Sequence, residues 1–135
     1  MLAPASPDYF AHDRAFVERL ARFGFQPATV YDVGGSNGWW SRTVAAIFPE
    51  ARFHLFEPLA ADNGPYAEHW RANQAACPNL TMHPVALGDH TGTVEIHVTP
   101  EGFGSSLLSA AGGTVRRVPL WRLDEYASEH ALPPP

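Results

Sequence analysis

The sequence contains no lysine, and this absence excludes several kinds of binding site. All nine basic residues are arginines without a run, and the formal net charge of the 135 residues is −5. A nucleic-acid-binding surface needs a basic patch that attracts phosphates. A P-loop needs a lysine that contacts the phosphates of a nucleotide. We therefore expect neither a nucleic-acid partner nor a P-loop.

Cysteines and long apolar runs are also scarce. The single cysteine, Cys77, cannot form an internal disulfide, which suits a reducing compartment. The longest apolar run covers residues 44–48, whereas a helix that crosses a membrane needs about 20 residues. No basic start followed by an apolar stretch signals export. We expect a cytoplasmic protein without a membrane partner.

The length and composition predict one folded domain. Hydrophobic residues make up 45% of the sequence and charged residues 17%, as in a globular protein. A chain of this size buries roughly two thirds of its unfolded surface, which is enough for one core. We predict a single domain over residues 1–135, of which residues 128–135 form a tail.

Alternating helix and strand signals predict an α/β fold with a mostly parallel sheet. The expected elements are a helix over 7–23, a strand over 29–33, a helix ending before Pro49, a strand over 52–56, a helix over 64–76 and a strand over 80–85. In the first helix, Ser6 is the expected cap. Its expected core-facing residues are Phe16, Leu20 and Phe23, with Val17 beside them.

Two later strands differ in character from the first three. Apolar and polar residues alternate over 93–98, which predicts a strand with one face in water. A second such strand is expected over 114–120, after a Gly/Ser loop over 102–113, and a short helix starts at Leu123. We expect these two strands to form a late antiparallel pair.

A glycine-rich loop follows the first strand. It consists of Gly34, Gly35, Ser36, Asn37 and Gly38. Such a loop presents backbone N–H groups above the carboxyl edge of a sheet, where nucleotide-like ligands bind. The dinucleotide fingerprint does not fit, because Ser36 and Trp39 occupy its second and third glycine positions.

Two carboxylates accompany this loop. Asp32 precedes it, and Glu57 follows the second strand, nineteen residues after Gly38. A carboxylate at a strand tip can accept two hydrogen bonds from ribose hydroxyls, whereas it repels a phosphate. Two structural alternatives stay open: Asp32 caps the following loop, and Glu57 is a solvated carboxylate at a strand end.

The spacing of Asp32, Gly34, Gly38 and Glu57 resembles that of class I methyltransferases, which use S-adenosylmethionine. Together with the segments 56–58, 85–89, 92–94 and 118–124, it resembles FkbM-type methyltransferases over most of the chain. That resemblance implies a Rossmann-like methyltransferase sheet. It also implies methyl transfer to a hydroxyl on a small molecule, often a sugar or secondary metabolite.

The same resemblance implies the cofactor and its contacts. Asp32 and the glycine loop would hold the methionine end of S-adenosylmethionine, Glu57 the ribose, and Ala86 with Leu87 the adenine. The cofactor-binding residues that it implies are Asp32, Gly34, Gly35, Ser36, Asn37, Gly38, Glu57, Pro58, Ala86 and Leu87. It identifies no catalytic base.

The chain departs from the family in two ways. Ala86 stands where many class I methyltransferases have an aspartate that binds the adenine amino group. In this chain, backbone groups or Asp89 would have to bind it. The family continues beyond the equivalent of Tyr126 into further strands, so we expect a sheet that is incomplete at the C-terminus. The alternative function is a non-catalytic nucleoside-binding or assembly module derived from that fold.

Two further expectations concern metals and assembly. His90, Glu95 and His97 lack the spacing of metal ligands, so we expect no metal site. The strand over 29–33 gains predicted neighbours on one side only. We expect its free edge to be covered by further sequence or by a second copy in a homodimer, unless the late strands fold back to fill it.

Overall fold

The structure is a computed structural model that describes residues 9–60, 67–99 and 113–135. Its elements are α1 Ala11–Arg22, β1 Thr29–Val33, α2 Trp39–Ala45, β2 Arg52–Phe56, α3 Ala67–Ala76, β3 Leu80–His83, β4 Ala86–Leu87, β5 Gly92–Val98, β6 Thr114–Trp121 and α4 Leu123–Glu129. The predicted α/β fold is confirmed. The expected cap Ser6, the start of the third helix at 64–66 and residues 102–112 of the Gly/Ser loop lie outside the described residues.

The described strands form two small sheets. The first is parallel, in the order β1-β2-β3, with Asp32 of β1 opposite Leu55 of β2. The second has the order β4-β6-β5, in which β5 and β6 are antiparallel and β4 runs parallel to β6. The prediction of a late antiparallel pair is therefore confirmed.

Different helices cover the two faces of the first sheet. Side chains at paired positions of parallel strands share a face, and alternate residues change face. One face packs against α1, α2 and α3 through a cluster that includes Val17, Val44, Phe53, Leu55, Trp70 and Leu80. The other face, which carries Phe56, packs against Tyr126 of α4. The glycine loop leaves this sheet at the end of β1.

The prediction for α1 was wrong in its start and in its buried face. The helix begins at Ala11, and Val17 is its buried residue, whereas Phe16 is 59% exposed and Phe23 is 83% exposed. The apolar residues of this segment occupy more than one side of the helix, so periodicity alone did not identify the side that meets α2. Gly24 does end the helix, with a left-handed φ of 88°.

The third strand ends two residues earlier than expected. It stops at His83 because Pro84 has no backbone N–H with which to continue the ladder. Ala86 and Leu87, which were not expected to form a strand, then pair with Leu120 and Trp121. Only two residues, Pro84 and Val85, thus connect the first sheet to the second.

The late strands do not pair with β1, which is an edge strand among the strands that the structure describes. They pair with each other and with β4, so that alternative is contradicted. Near this edge, Tyr31 Oη donates a hydrogen bond to the carbonyl of Pro133 at 2.7 Å. Part of the predicted tail is helical, because α4 runs through Glu129. No helix of the described residues is long and apolar enough to cross a membrane.

Candidate ligand site at the glycine loop

The glycine loop makes a tight turn between β1 and α2. Gly34 and Gly38 have φ angles of 73° and 83°, a left-handed conformation that glycine adopts without a steric penalty. The N–H of Gly34 donates to the carbonyl of Phe56, and that of Gly38 donates to the carbonyl of Gly35, both at 2.9 Å. The loop is therefore fixed to β2 as well as to itself.

Gly35 occupies the most crowded position of the loop. A Cβ atom at this residue would lie 2.6 Å from Cγ of Leu55 and 2.8 Å from Oδ2 of Asp32. A real Cβ atom cannot approach either atom so closely without displacing it. The sequence therefore requires glycine here because the loop passes directly over β2.

Glu57 joins the loop to the turn after β2. Its Oε2 accepts the backbone N–H of Ser36 at 3.1 Å, and its Oε1 accepts the N–H of Leu59 at 3.0 Å. Glu57 is 9% exposed, so the alternative of a solvated strand-end carboxylate is wrong. The bond to Ser36 also holds a non-glycine residue at a left-handed φ of 52°, a conformation that costs roughly 1–2 kcal/mol.

Asp32 points toward α2. Its Oδ2 accepts a hydrogen bond of 2.6 Å from Oγ of Ser41, whose side chain is fully buried. The sequence left open that Asp32 caps the following loop. The observed side-chain partner of Asp32 lies instead in α2, beyond that loop. Asp32 thus fixes α2 relative to β1.

The two carboxylates make the site electrostatically unusual. Burial raises the pKa of Asp32, and the hydrogen bond from Ser41 partly opposes this effect. Burial also raises the pKa of Glu57, against the hydrogen bonds from Leu59 and Ser36, and the negative charge of Asp32 raises it further. Within the described ranges, neither carboxylate forms an ion pair with an arginine or histidine. The site therefore holds negative charge that its described neighbours do not balance.

A cavity of about 220 Å³ opens beside Glu57. Its lining brings together the expected residues Gly34, Glu57, Pro58, Ala86 and Leu87, with Val33, Phe56, Leu59, Val85 and Ile96 completing it. Sites that enclose a whole drug-sized ligand measure roughly 300–1,000 Å³. This cavity is thus large enough for one ring system of a ligand.

Asp89, the expected substitute for a missing adenine contact, does not line the cavity. It is exposed, and its carboxylate pairs with Nδ1 of His90 at 2.6 Å, which lowers the pKa of Asp89. The described part of the chain has no group of three or more His, Cys, Asp or Glu side chains that could hold a metal ion.

Comparisons with known proteins give no family. No family model, curated protein or solved structure matches the chain. The case for a function therefore depends on the residues of the site.

Asn73 of α3 contacts the loop and was not among the residues predicted from the sequence. Asn73 Nδ2 donates to the carbonyl of Asn37 at 2.7 Å, and its Oδ1 accepts from Nη1 of Arg42 at 3.2 Å. A signal was available in the sequence, because Asn73 shares the helical spacing of Ala67 and Trp70, and all three are buried. A polar residue in an apolar stripe indicates a specific buried partner.

Proposed function

We propose that the chain binds S-adenosylmethionine at the glycine loop and forms the cofactor-binding part of a methyltransferase. The proposed reaction is O-methylation of a hydroxyl on a small molecule, a sugar or a secondary metabolite. In this proposal the two sheets are the first part of a Rossmann-like fold of FkbM type, and the protein acts in the cytoplasm.

The buried carboxylate pair, Asp32 and Glu57, is the observation that carries this proposal. Both side chains lie at the carboxyl end of the parallel sheet, and burial raises the pKa of each. A ligand with phosphates would add negative charge to this site, whereas a ligand with an amino group and a sulfonium would balance it. The charges therefore favour S-adenosylmethionine over a phosphorylated nucleotide.

The hydrogen-bonding capacity that remains in the site fits this cofactor. Each oxygen of Glu57 accepts one backbone N–H, and a carboxylate offers about four acceptor positions in all. Two ribose hydroxyls can therefore still donate to Glu57. Ser36 Oγ is buried and has no hydrogen-bond partner in the described structure, although Ser36 does not line the cavity beside Glu57.

The apolar part of the cavity suits the adenine. Ala86, Leu87 and Ile96 line it near Glu57, and an aromatic base gains stability when it is packed between such side chains. When bound, the cofactor supplies a methyl group on a positively charged sulfur, which a hydroxyl oxygen can accept. The residues of this chain would bind and orient that group while keeping part of its surface from water.

A non-catalytic nucleoside-binding or assembly module is the second candidate, and one observation favours it. Glu57 is the only titratable residue among the described lining of the cavity. Its oxygens accept two backbone hydrogen bonds, and in the proposed complex the two ribose hydroxyls occupy its remaining acceptor positions. The described lining thus offers no free side chain to take the proton of an acceptor hydroxyl.

Calorimetric titration with S-adenosylhomocysteine, adenosine and NAD tests both candidates. We expect S-adenosylhomocysteine to bind and NAD not to bind. Tight binding of NAD, or no binding of S-adenosylhomocysteine, would overturn the proposal. Adenosine that binds as tightly as S-adenosylhomocysteine would show that the methionine end is not recognised, and would favour the nucleoside-binding module.

A further inference from the structure

Asn73 links α3, α2 and the glycine loop through one side chain. The amide is fully buried in the middle of α3. Its nitrogen donates to the carbonyl of Asn37 at 2.7 Å, and its oxygen accepts from the guanidinium of Arg42 at 3.2 Å. Both functional groups of the side chain are therefore used.

An amide at this position is not explained by packing. The neighbouring buried positions of α3 are apolar, Ala67 and Trp70, and Trp70 packs in the core against the first sheet. A buried amide is unfavourable unless it is hydrogen-bonded, and an apolar side chain of similar shape would avoid that requirement. The hydrogen bonds of Asn73 therefore account for its presence better than its volume does.

The group that Asn73 holds is a central peptide of the loop. The carbonyl of Asn37 and the N–H of Gly38 belong to one planar unit. Asn73 binds the carbonyl, and the N–H donates to Gly35 at 2.9 Å. This peptide is thus fixed at both ends, and it directly follows Ser36, whose N–H meets Glu57.

We propose that Asn73 is a positioning residue for the ligand site: its amide holds the peptide between Asn37 and Gly38, and so keeps the glycine loop in its binding conformation. Asn73 acts through the loop and not by contact with the ligand. The link to ligand binding rests on the proposed function, whereas the link to loop order does not.

The test compares two asparagine-to-aspartate substitutions. Asn73→Asp keeps the size of the side chain and an acceptor for Arg42, but it places an oxygen against the carbonyl of Asn37. Asn79→Asp is the matched control, because Asn79 Nδ2 also donates to backbone carbonyls, those of Pro49 and Ala51. Those carbonyls lie at the opposite, amino-terminal end of the sheet. Asn73→Leu serves as a second variant, because it removes the amide without adding an unpaired acceptor.

Two readouts separate loop positioning from general stability. Amide hydrogen exchange is measured at Ser36 and Gly38, and affinity is measured by titration with S-adenosylhomocysteine. We expect both Asn73 variants to speed exchange at these amides and to weaken binding, each by roughly tenfold, as loss of one buried hydrogen bond implies. Asn79→Asp should lower the urea midpoint without changing either readout.

The outcomes distinguish failure of this inference from failure of the proposed function. Unchanged exchange at Ser36 and Gly38 in a folded Asn73 variant would overturn the inference, as would an equal change in Asn79→Asp. If the parent chain does not bind S-adenosylhomocysteine, the proposed function fails, and the exchange data still decide whether Asn73 orders the loop. Faster exchange with unchanged affinity would overturn the positioning role in binding.

Discussion

Two groups of buried polar side chains lie on the same parallel sheet but are assembled in different ways. Of the carboxylate pair, Asp32 lies near the end of β1 and Glu57 directly follows β2. Backbone N–H groups hold Glu57, and Ser41 holds Asp32. The histidine cluster, His54, His83 and Tyr126, lies under α4. Asp32 and Glu57 belong to one βαβ unit around the glycine loop, whereas the cluster also includes Tyr126 of α4, which is 43 residues from His83.

The histidine cluster is a buried chain of hydrogen bonds. His54 Nδ1 lies 2.9 Å from His83 Nε2, and His83 Nδ1 lies 3.1 Å from Oη of Tyr126. His83 also stacks on Phe56 at 4.8 Å between ring centroids. His54 Nε2 is buried and has no hydrogen-bond partner in the described residues. Burial therefore disfavours a second proton, which would give either ring a positive charge.

The comparison shows that burial acts with opposite sign on the two groups. Burial raises the pKa of the carboxylates, so the folded protein takes up protons there more readily than the unfolded chain. Burial lowers the pKa of His83 to about 4, with further contributions from the charges of His54 and His130. Burial and the charge of Arg52 lower the pKa of His54. Acid should therefore favour the folded state through one group and oppose it through the other.

The largest expected effect is on ligand binding at the carboxylate pair. Glu57→Ala removes two charge-assisted hydrogen bonds to a ribose and should weaken binding of S-adenosylhomocysteine by about 2–4 kcal/mol. Glu95→Ala is the control, because Glu95 is exposed and pairs only loosely with Arg117, at 3.5 Å. Calorimetry measures both. Unchanged affinity in Glu57→Ala would reduce Glu57 to a purely structural bridge between Ser36 and Leu59.

The next effect concerns the pH dependence of folding. Because the pKa of His83 is about 4 in the folded state and about 6.5 when unfolded, its contribution is present above pH 6.5 and is lost as the pH falls toward 4. The loss should be about 2–3 kcal/mol. Urea unfolding between pH 7 and pH 4 measures it, with His83→Leu as the variant and His97→Leu as the control.

The same experiment sharpens the comparison between the two groups. The pKa values of the two carboxyl groups are raised in the folded state. Their protonation should therefore increase the free energy of unfolding as the pH falls toward these values. In His83→Leu, the contribution of His83 is gone, so the free energy of unfolding should fall less steeply toward pH 4 than in the parent chain. A variant that loses stability toward pH 4 as steeply as the parent would show that His83 is not the source of the acid sensitivity.

The carboxylate pair could be predicted from the sequence, whereas the histidine cluster could not. Asp32, Gly34, Gly38 and Glu57 form one βαβ unit, so their order and spacing in the chain indicated that they would meet. His54 and His83 are 29 residues apart, and His83 and Tyr126 are 43 apart. The contact between His54 and His83 depends on the register of β3 against β2, and the contact between His83 and Tyr126 depends on how α4 returns to the sheet. No periodicity in the sequence indicates either.

The errors in the predicted elements have a similar origin. The strands over 29–33 and 52–56 were correct because a buried parallel strand is a local apolar run that turn residues end. The buried face of α1 was wrong because it depends on where α2 lies. The pairing of β4 with β6 was missed because two residues, Ala86 and Leu87, carry no strand signal without their partner.

A smaller effect on stability is expected at the crowded turn of the glycine loop. Gly35→Ala places a methyl group against Leu55 and Asp32, and it should destabilise the fold by about 1–2 kcal/mol because Leu55 can move only partly. Gly92→Ala is the control, since the nearest atom is His90 Cδ2 at 3.9 Å. Urea unfolding compares the two. Equal stabilities would mean that the loop does not pass as close to β2 as the structure shows.

The smallest effect isolates one hydrogen bond of the histidine cluster. Tyr126→Phe keeps the ring, which packs edge-on against Phe56 and Trp121, and removes only the hydroxyl that meets His83. Loss of this bond should lower the free energy of unfolding by about 1 kcal/mol at pH 7. Tyr31→Phe is the matched control, because its hydroxyl bonds the carbonyl of Pro133, outside the cluster.

The two variants should differ in the pH dependence of unfolding, because only Tyr126→Phe removes a neutral partner of His83 and so changes the pH at which that ring takes up a proton. Identical pH profiles would show that Tyr126 packs beside the histidines without sharing their hydrogen-bond chain.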